Sequence, residues 1–231
     1  MESITAGLIC SEHEEFVHLT LRSLAGVVDE IVMVGNPDEH TRRLISEGKG
    51  DTPFKLIWRN WDDNWGLARN EVLANSRGTW HLQVDCDEVL GDEGVLLSKY
   101  VDGECTNFDL EYVHFIRDFG HVDSTVERHV GINRFFRNNG VRYARRMHEF
   151  AESERFTNKG PLISKPTIFH LGYLKGVNSV HEKFKKHKEY SETHTTEFLT
   201  QWHSAHLLGS YPVKPYSGPY PWVLRTEYGC L

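Results

Sequence analysis

The feature that most constrains this chain is the regular alternation of strand-like and helix-like segments over residues 1–90. Short apolar runs typical of buried strands are separated by segments in which apolar residues recur at helical spacing. Strands are predicted at residues 4–10, 31–34, 54–58 and 80–84, and helices start near residues 14, 38 and 67. This order favours an α/β fold with a mostly parallel sheet flanked by helices.

The second half of the chain has a different pattern. Residues 112–116 and 130–136 are predicted strands in a β-rich segment, and residues 177–208 are predicted to form a long charged helical region. Residues 211–222 contain four of the eight prolines, interleaved with aromatic residues, which indicates a packed extended tail rather than a helix. We therefore divide the chain into residues 1–104, 105–175 and 176–231.

The composition indicates a globular protein of 231 residues, with 39% hydrophobic and 26% charged residues. These values exclude a disordered, collagen-like or coiled-coil chain and allow one sizeable core. No apolar run approaches the roughly 20 residues that span a bilayer, and the start lacks the pattern of a signal peptide. The four cysteines form no CxxC pair, so we interpret them as reduced thiols and expect a cytoplasmic location.

The net charge of −7 is unevenly distributed along the chain, with −13 on residues 1–115 and +6 on residues 116–231. Two interpretations are open: the halves pack against each other, or the acidic half holds a metal and the basic half faces an anionic partner. The cations that the second interpretation depends on are Arg134, Arg137, Arg142, Arg145, Arg146 and the lysines between residues 183 and 188.

The most informative segment is residues 80–88, where an apolar strand leads directly into Asp85-Cys86-Asp87-Glu88. Ligands of open parallel sheets bind beyond the carboxyl ends of the strands. Three carboxylates within four residues repel each other, and a divalent cation such as Mg²⁺ or Mn²⁺ is the simplest partner that would offset this repulsion. The alternative is an acidic turn at the start of a helix.

Further patterns occur in a fixed order along residues 3–173. They are Cys10-Ser11-Glu12-His13-Glu14-Glu15-Phe16, the strand ending at Val34, Asn64-Trp65-Gly66-Leu67-Ala68-Arg69-Asn70, the D-x-D-E segment, Arg146-Met147-His148-Glu149 and Phe169-His170-Leu171-Gly172-Tyr173. Together they resemble the nucleotide-sugar glycosyltransferases of family 2, which adopt the GT-A fold. The resemblance implies a metal-dependent, inverting transfer of a sugar from a nucleotide sugar, with a UDP-sugar favoured, to a hydroxyl acceptor.

The resemblance also implies roles for individual residues. Arg69 would face the diphosphate and Glu149 would be the general base, with His148 beside it to orient the acceptor or bind metal. The implied contacts to the nucleotide sugar are Ile9, Ser11, Glu14, Asn36, Arg69, Asp85, Cys86 and Glu88, and the implied ligands of Mn²⁺ or Mg²⁺ are Asp85, Asp87 and His170. Each assignment has a structural alternative, such as a surface arginine at position 69 or a pair between Glu149 and Arg145 or Arg146.

One departure from the family concerns the nucleobase. Many members follow the second strand with D-x-G-S-x-D, whose first aspartate reads the base, whereas this chain has Gly35-Asn36-Pro37-Asp38. Asn36 or Asp38 would have to substitute for it, which leaves the identity of the base open.

Other functions remain open at this stage. A nucleotidyltransferase would show a glycine-rich loop after the first strand, and residues 10–16 contain no glycine. A carbohydrate- or nucleic-acid-binding module without turnover would suit the basic half. For the acceptor we rank an anionic cell-envelope saccharide first and 5-hydroxymethylated DNA, as used by phage-type enzymes, second.

Overall fold

The computed structural model describes residues 2–147, 149–175, 181, 184, 185, 189 and 196–229. The first half forms four parallel strands joined by three helices, in the order predicted. The strands are β1 (Ile4–Cys10), β2 (Glu30–Gly35), β3 (Phe54–Trp58) and β4 (Trp80–Gln83), and the helices are α1 (Val17–Leu24), α2 (Glu39–Gly48) and α3 (Trp65–Asn75). The four strands lie side by side in the order β4-β1-β2-β3, so β1 has a strand on each side.

The first half ends with the short strand β5 (Glu88–Leu90). The strands that follow are β6 (Asn107–Ile116), β7 (Asp118–Asp123), β8 (His129–Arg137), β9 (Arg142–Ala144), β10 (Phe150–Glu152), β11 (Ile163–Tyr173) and β12 (Val213–Pro215). Strands β9 and β10 form a separate two-stranded sheet, and the others extend the sheet of the first half. A 3₁₀ helix spans Asp92–Lys99. Strand β8 pairs antiparallel with β4, which joins the two halves into one sheet.

The α/β class is confirmed, but the sheet is mixed rather than mostly parallel. Parallel pairing is found among β1 to β4 and between β11 and β6, whereas β8, β7, β12 and β5 pair antiparallel with their neighbours. The alternating pattern of the first half predicted its helical crossovers. The second half contains direct strand-to-strand connections, which favour antiparallel pairing.

The helices of the first half cover both faces of the sheet. Along β1, Leu8 packs in one cluster with Leu21 of α1, whereas the adjacent Ile9 packs in another cluster with Val72 of α3. Successive residues of a strand point to opposite faces, so α1 and α3 lie on opposite sides. All seven residues of β1 are buried, as expected for the central strand.

Side-chain caps fix the starts of two helices near the carboxyl edge of the sheet. Asp38 caps α2 by accepting a hydrogen bond from the Thr41 amide. Asn64 caps α3 by accepting a hydrogen bond from the Leu67 amide. Such a cap stabilises a helix by about 1 kcal/mol, and the cap at Asn64 defines the helix turn that carries Arg69.

The C-terminal part packs on the sheet. The hydroxyl of Tyr211 donates to Asp123 at the end of β7, and Leu224 is buried in a cluster with Leu19 and Phe115. The tail is extended as predicted up to Pro221, after which α5 (Trp222–Tyr228) begins. Helix α4 (Thr196–Leu207) confirms the end of the predicted helical region, most of whose earlier part lies outside the described residues.

In the part of the chain that the structure describes, no helix has the length and apolar character needed to cross a membrane.

Candidate active site

A cavity of about 1000 Å³ opens at the carboxyl ends of β1 and β4. Parallel strands direct the residues that follow them to this edge, which explains why distant sequence motifs meet here. Eight of the predicted site residues line the cavity: Ile9, Ser11, Glu14, Arg69, Asp85, Cys86, Asp87 and Glu149.

Arg69 lies at the centre of the polar wall. It is only 5% exposed, so it is not a surface arginine. Its Nη2 lies 2.9 Å from Asp85 Oδ1, and its Nε donates to Glu149 Oε1. Burial alone would lower the pKa of Arg69, but these two carboxylates raise it. Among the described residues, its Nη1 is buried without a hydrogen-bond partner, so one donor of this guanidinium is unused.

Glu149 pairs with Arg69 and not with the arginines beside it in sequence. Arg146 donates from its Nε to the Asp63 carbonyl at 2.7 Å, and the guanidinium of Arg145 lies over the Phe150 ring at 4.9 Å. The predicted diphosphate ligand and the predicted base, 80 positions apart in sequence, therefore contact each other.

Glu88 lies behind the cavity and not on its lining. It is 2% exposed and accepts hydrogen bonds from the Asp85 amide at 2.8 Å, from the Tyr112 hydroxyl at 2.9 Å and from Arg134 at 3.3 Å. Burial, followed by the carboxylates of Asp85 and Asp87, raises its pKa to about 7 despite Arg134. Its geometry is that of a brace for the acidic loop, and a contact of Glu88 to the nucleotide sugar stays a prediction.

Asp85 is held between two guanidinium groups. Besides Arg69, Arg134 Nη2 lies 3.7 Å from its Oδ2. Burial opposes the charged form, yet Arg69 and Arg134 outweigh it and lower the pKa of Asp85. This carboxylate is therefore charged and already paired at neutral pH.

Asp87 faces His170 and Lys175 on the opposite side of the loop. Its Oδ2 lies 3.8 Å from His170 Nε2 and 3.4 Å from Lys175 Nζ. A Cβ atom placed on Gly172 would lie 2.5 Å from this Oδ2, so glycine leaves the room that the carboxylate occupies. A carboxylate and an imidazole facing each other suit Mn²⁺ in donor chemistry.

The predicted set of three metal ligands is not assembled as a group. Among the residues that the structure describes, no cluster of three or more His, Cys, Asp or Glu side chains is arranged to hold a metal ion. The physical reason is that Arg69 and Arg134 bind Asp85, while Asp87 and His170 are presented beside Lys175. Asp87 and His170 fit a divalent cation, and Asp85 does not in this arrangement.

The loop after β1 is shaped by its own side chains. Ser11 Oγ donates to Glu14 Oε1 at 2.6 Å, and the other oxygen of Glu14 lies 3.1 Å from Lys175 Nζ. The Cys86 thiol donates to the Ile9 carbonyl at 3.2 Å. A hydrogen bond with Cys10, together with burial, raises the pKa of Cys86, in keeping with an unreactive reduced thiol.

The implied readers of the nucleobase are not at the cavity wall. Asn36 is exposed and is absent from the lining. Both oxygens of Asp38 are engaged, one by the Thr41 amide at 2.7 Å and one by His13 Nδ1 at 2.9 Å. His148 lies outside the described residues.

The lining also contains residues that the sequence did not predict, and three of them enter the proposals below. Trp61 and Trp65 form an edge-to-face pair with ring centroids 5.1 Å apart, and Lys175 follows β11. Trp65 belongs to a motif quoted above, but the other two carry no local signal, since only the folded sheet brings them to this edge.

The arginines of the basic half are engaged within the protein. Arg134 binds Glu88, Arg137 binds Glu2, and Arg142 binds Glu152. Arg145 and Arg146 contact the groups described above. Arg134, Arg137 and Arg146 thus join the two halves, in agreement with the first of the two interpretations, whereas Arg142 and Arg145 contact residues of their own half.

The comparison with solved structures supports the fold. No protein-family model matches the chain. A TPR repeat-containing protein of Synechococcus elongatus is 28% identical over 90 residues, which is 39% of this chain and 22% of that protein. Staphylococcus aureus TarS has a TM-score of 0.56 at 13% identity, covering 91% of this chain and 43% of TarS.

A crystal structure of TarS residues 1–349 in complex with UDP-GlcNAc has a TM-score of 0.52 at 13% identity and covers 91% of this chain and 72% of that one. The fold described here is therefore the fold of a protein that binds a nucleotide sugar. The chain spans less than half of the full TarS chain and 22% of the curated relative.

Proposed function

We propose that this chain is a glycosyltransferase that moves a sugar from a nucleotide sugar, preferentially a UDP-sugar, to a hydroxyl acceptor. One observation carries the proposal: Arg69, Asp85, Asp87 and Glu149 line a single cavity at the carboxyl edge of the sheet. The fold is shared with a protein crystallised with UDP-GlcNAc, which supports the choice of donor class.

Positive charge would hold the diphosphate of the donor. Arg69 offers its Nη1, and a guanidinium suits phosphate oxygens. Asp87 and His170 would hold Mn²⁺ or Mg²⁺, and the bound metal would stabilise the charge that develops on the departing diphosphate. Asp85, fixed by two arginines, would contact the ribose. The nucleobase would lie against the aromatic pair of Trp61 and Trp65.

Glu149 would act as the general base. It accepts the proton of the acceptor hydroxyl while the hydroxyl oxygen forms a bond to the anomeric carbon and the bond from that carbon to the diphosphate oxygen breaks on the opposite face. The configuration inverts, and the nucleoside diphosphate leaves. The hydrogen bond from Arg69 to Oε1 holds Glu149, and the other carboxylate oxygen would accept the proton. The role of His148 in orienting the acceptor stays a proposal from sequence.

We assign a separate role to each of the three segments of the chain. Residues 1–104 would bind the nucleotide sugar, residues 105–175 would form the acceptor side, and residues 176–231 would be an extension packed on them. We propose a saccharide hydroxyl as the acceptor, with a cell-envelope saccharide first. A 5-hydroxymethylated DNA is the second candidate. Arg134, Arg137 and Arg142 already pair with carboxylates, which weakens the case for it, and Lys183, Lys186 and Lys188 lie outside the described residues.

The test is a donor screen. Release of the nucleoside diphosphate is measured from a panel of nucleotide sugars, UDP-GlcNAc first, with Mn²⁺, with Mg²⁺ and with EDTA. We expect release to require the metal and Asp87→Asn to abolish it. Glu149→Gln should retain the affinity for UDP and lower the transfer rate by about 100-fold. Glu152→Gln, on β10 and paired with Arg142, is the matched control and should match the wild type.

Two results would contradict the proposal. One is a folded protein that releases nothing from any nucleotide sugar and binds no nucleoside diphosphate by calorimetry. The other is an Asp87→Asn variant that turns over at the wild-type rate.

A further inference from the structure

Lys175 enters the cavity from the end of β11 and takes a position beside two carboxylates. Its Nζ lies 3.1 Å from Glu14 Oε2 and 3.4 Å from Asp87 Oδ2, and only 17% of its side chain is exposed. The Leu171 amide donates to the Asp87 carbonyl at 2.8 Å, which ties β11 to the acidic loop just before Lys175. The ammonium is therefore held at this place by the fold and not by a loose surface contact.

The ion pairs of the site divide into two groups. Arg69 and Arg134 bind Asp85, Glu88 and Glu149. Lys175 binds Glu14 and Asp87, at the one place where a divalent cation would be bound by Asp87 and His170. Burial would lower the pKa of Lys175, but Asp87 and Glu14 raise it, so the ammonium is fully charged. Among the described residues, the positive charge of Lys175 thus occupies the neighbourhood of the proposed metal ligand.

Two cations cannot share one carboxylate oxygen at these distances without strong repulsion. A metal ion that binds Asp87 must therefore move the ammonium away. Lysine can make that move, because its charge lies at the end of a flexible four-carbon chain with donors that rotate freely. Leaving Asp87 costs Lys175 one of its two partners in a largely buried position, and a new anionic partner would offset this cost.

We infer that Lys175 is a resident cation that Mn²⁺ must displace from Asp87, and that the diphosphate of the donor supplies the new partner of the displaced ammonium. This inference rests on the proposed function, since it takes the diphosphate as the second ligand. Metal and nucleotide then bind cooperatively: each raises the affinity for the other by the same factor, as linkage requires. Neither Mn²⁺ nor the nucleotide then binds tightly alone. The site therefore stays largely free of metal until the donor is present.

The experiment is a titration of Mn²⁺ in the absence and presence of UDP, followed by the electron paramagnetic resonance signal of free Mn²⁺. The proteins are the wild type, Lys175→Met, Lys175→Arg and Lys165→Met. Lys165 is the matched control, because its side chain is 67% exposed and pairs with Glu93 outside the cavity. Circular dichroism confirms that each variant is folded, and Lys175→Gln replaces Lys175→Met if that variant is not.

Without UDP, Lys175→Met should bind Mn²⁺ at least about tenfold more tightly than the wild type, within the usual range of such coupling. UDP should increase the Mn²⁺ affinity of the wild type and of Lys165→Met at least about tenfold, and that of Lys175→Met much less. Lys175→Arg keeps the charge and should stay close to the wild type without UDP.

A Lys175→Met protein that binds Mn²⁺ no more tightly than the wild type, including one that shows no binding, overturns the inference. So does an equal gain from UDP in both proteins. If Lys175→Met gains Mn²⁺ affinity but no protein binds UDP at saturating Mn²⁺, the displacement stands and the proposed function fails.

Discussion

At the scale of single residues, the pair of Arg69 and Glu149 dominates the site. Removing the guanidinium leaves Asp85 and Glu149 without their shared partner in a buried place. We expect Arg69→Met to lower the free energy of unfolding by about 3–5 kcal/mol, as measured by urea denaturation. Arg142→Met breaks an ion pair whose arginine is 76% exposed and should change it by less than about 1 kcal/mol. Equal losses in the two variants would show that Arg69 is not a structural centre.

The same pair shows how far the sequence can be read. The sequence placed Asp85 and Asp87 at the end of a predicted strand, and the family resemblance implied site roles for Arg69 and Glu149. Their partners could not be predicted, since Arg69 and Glu149 meet only when β8 pairs with β4 and returns the chain to the first half. Lys175 was missed for the same reason.

A buried histidine sets a pH dependence of stability. His81 is fully buried in β4 and stacks on Phe136, and burial lowers its pKa to about 3. The unfolded chain takes up a proton near pH 6.5 and the folded chain near pH 3, so between these values the unfolded state binds more protons and stability falls with falling pH.

Replacing His81 by leucine should therefore flatten this dependence. Urea denaturation at pH 6, 5 and 4 should give a slope that is shallower than the wild-type slope by up to about 1.4 kcal/mol per pH unit. His40→Leu, on the partly exposed side of α2, serves as the control. An unchanged slope in His81→Leu would mean that His81 is protonated in the folded state.

At the scale of elements, the loop between β3 and α3 carries the proposed wall for the nucleobase. Trp61 Nε1 donates to Asp63 Oδ1 at 2.8 Å, and the Trp65 amide donates to the Arg146 carbonyl at 2.9 Å. These bonds hold the Trp61 ring and the Trp65 backbone before any ligand arrives, which reduces the entropy lost on binding.

We expect Trp61→Leu to weaken UDP binding about 5- to 150-fold by calorimetry, because stacking of a base on an aromatic ring contributes about 1–3 kcal/mol. Trp58→Leu provides the control, since Trp58 is 57% exposed and lies outside the cavity lining. Affinity for inorganic diphosphate should be the same in both variants. A loss that is equal for UDP and diphosphate would assign Trp61 to the shape of the loop and not to the base.

At the scale of the whole molecule, some of the opposite charges of the two halves form ion pairs that join the halves. Arg134 and Arg137 of the second half bind Glu88 and Glu2 of the first. The two halves also differ in how far their strand order could be predicted. In the first half, hydrophobic periodicity predicted the helical crossovers between strands. The order β6-β8-β4 depends on long-range pairing that no local sequence pattern encodes.

Because Arg134, Arg137 and Arg142 already pair with carboxylates of the protein, we predict that the acceptor reaction depends weakly on salt. We expect the KM for a saccharide acceptor to change less than about threefold between 50 and 200 mM salt, as measured by UDP release. A DNA acceptor held by several phosphate contacts would lose about 10³–10⁵ in affinity over this range. Label transferred into 5-hydroxymethylcytosine DNA with such a salt dependence would favour the phage-type alternative.

The absence of a side chain at Gly172 has a consequence for how this sequence can vary. A methyl group there would lie 2.5 Å from Asp87 Oδ2 and 2.6 Å from His170 Nε2, so even alanine would push apart two proposed ligands without removing either. In a library of all substitutions at this codon, selected for transfer activity, we expect glycine alone to survive. The exposed Gly103, whose nearest neighbour would lie 3.9 Å from an added Cβ, should accept most residues and set the background of the selection.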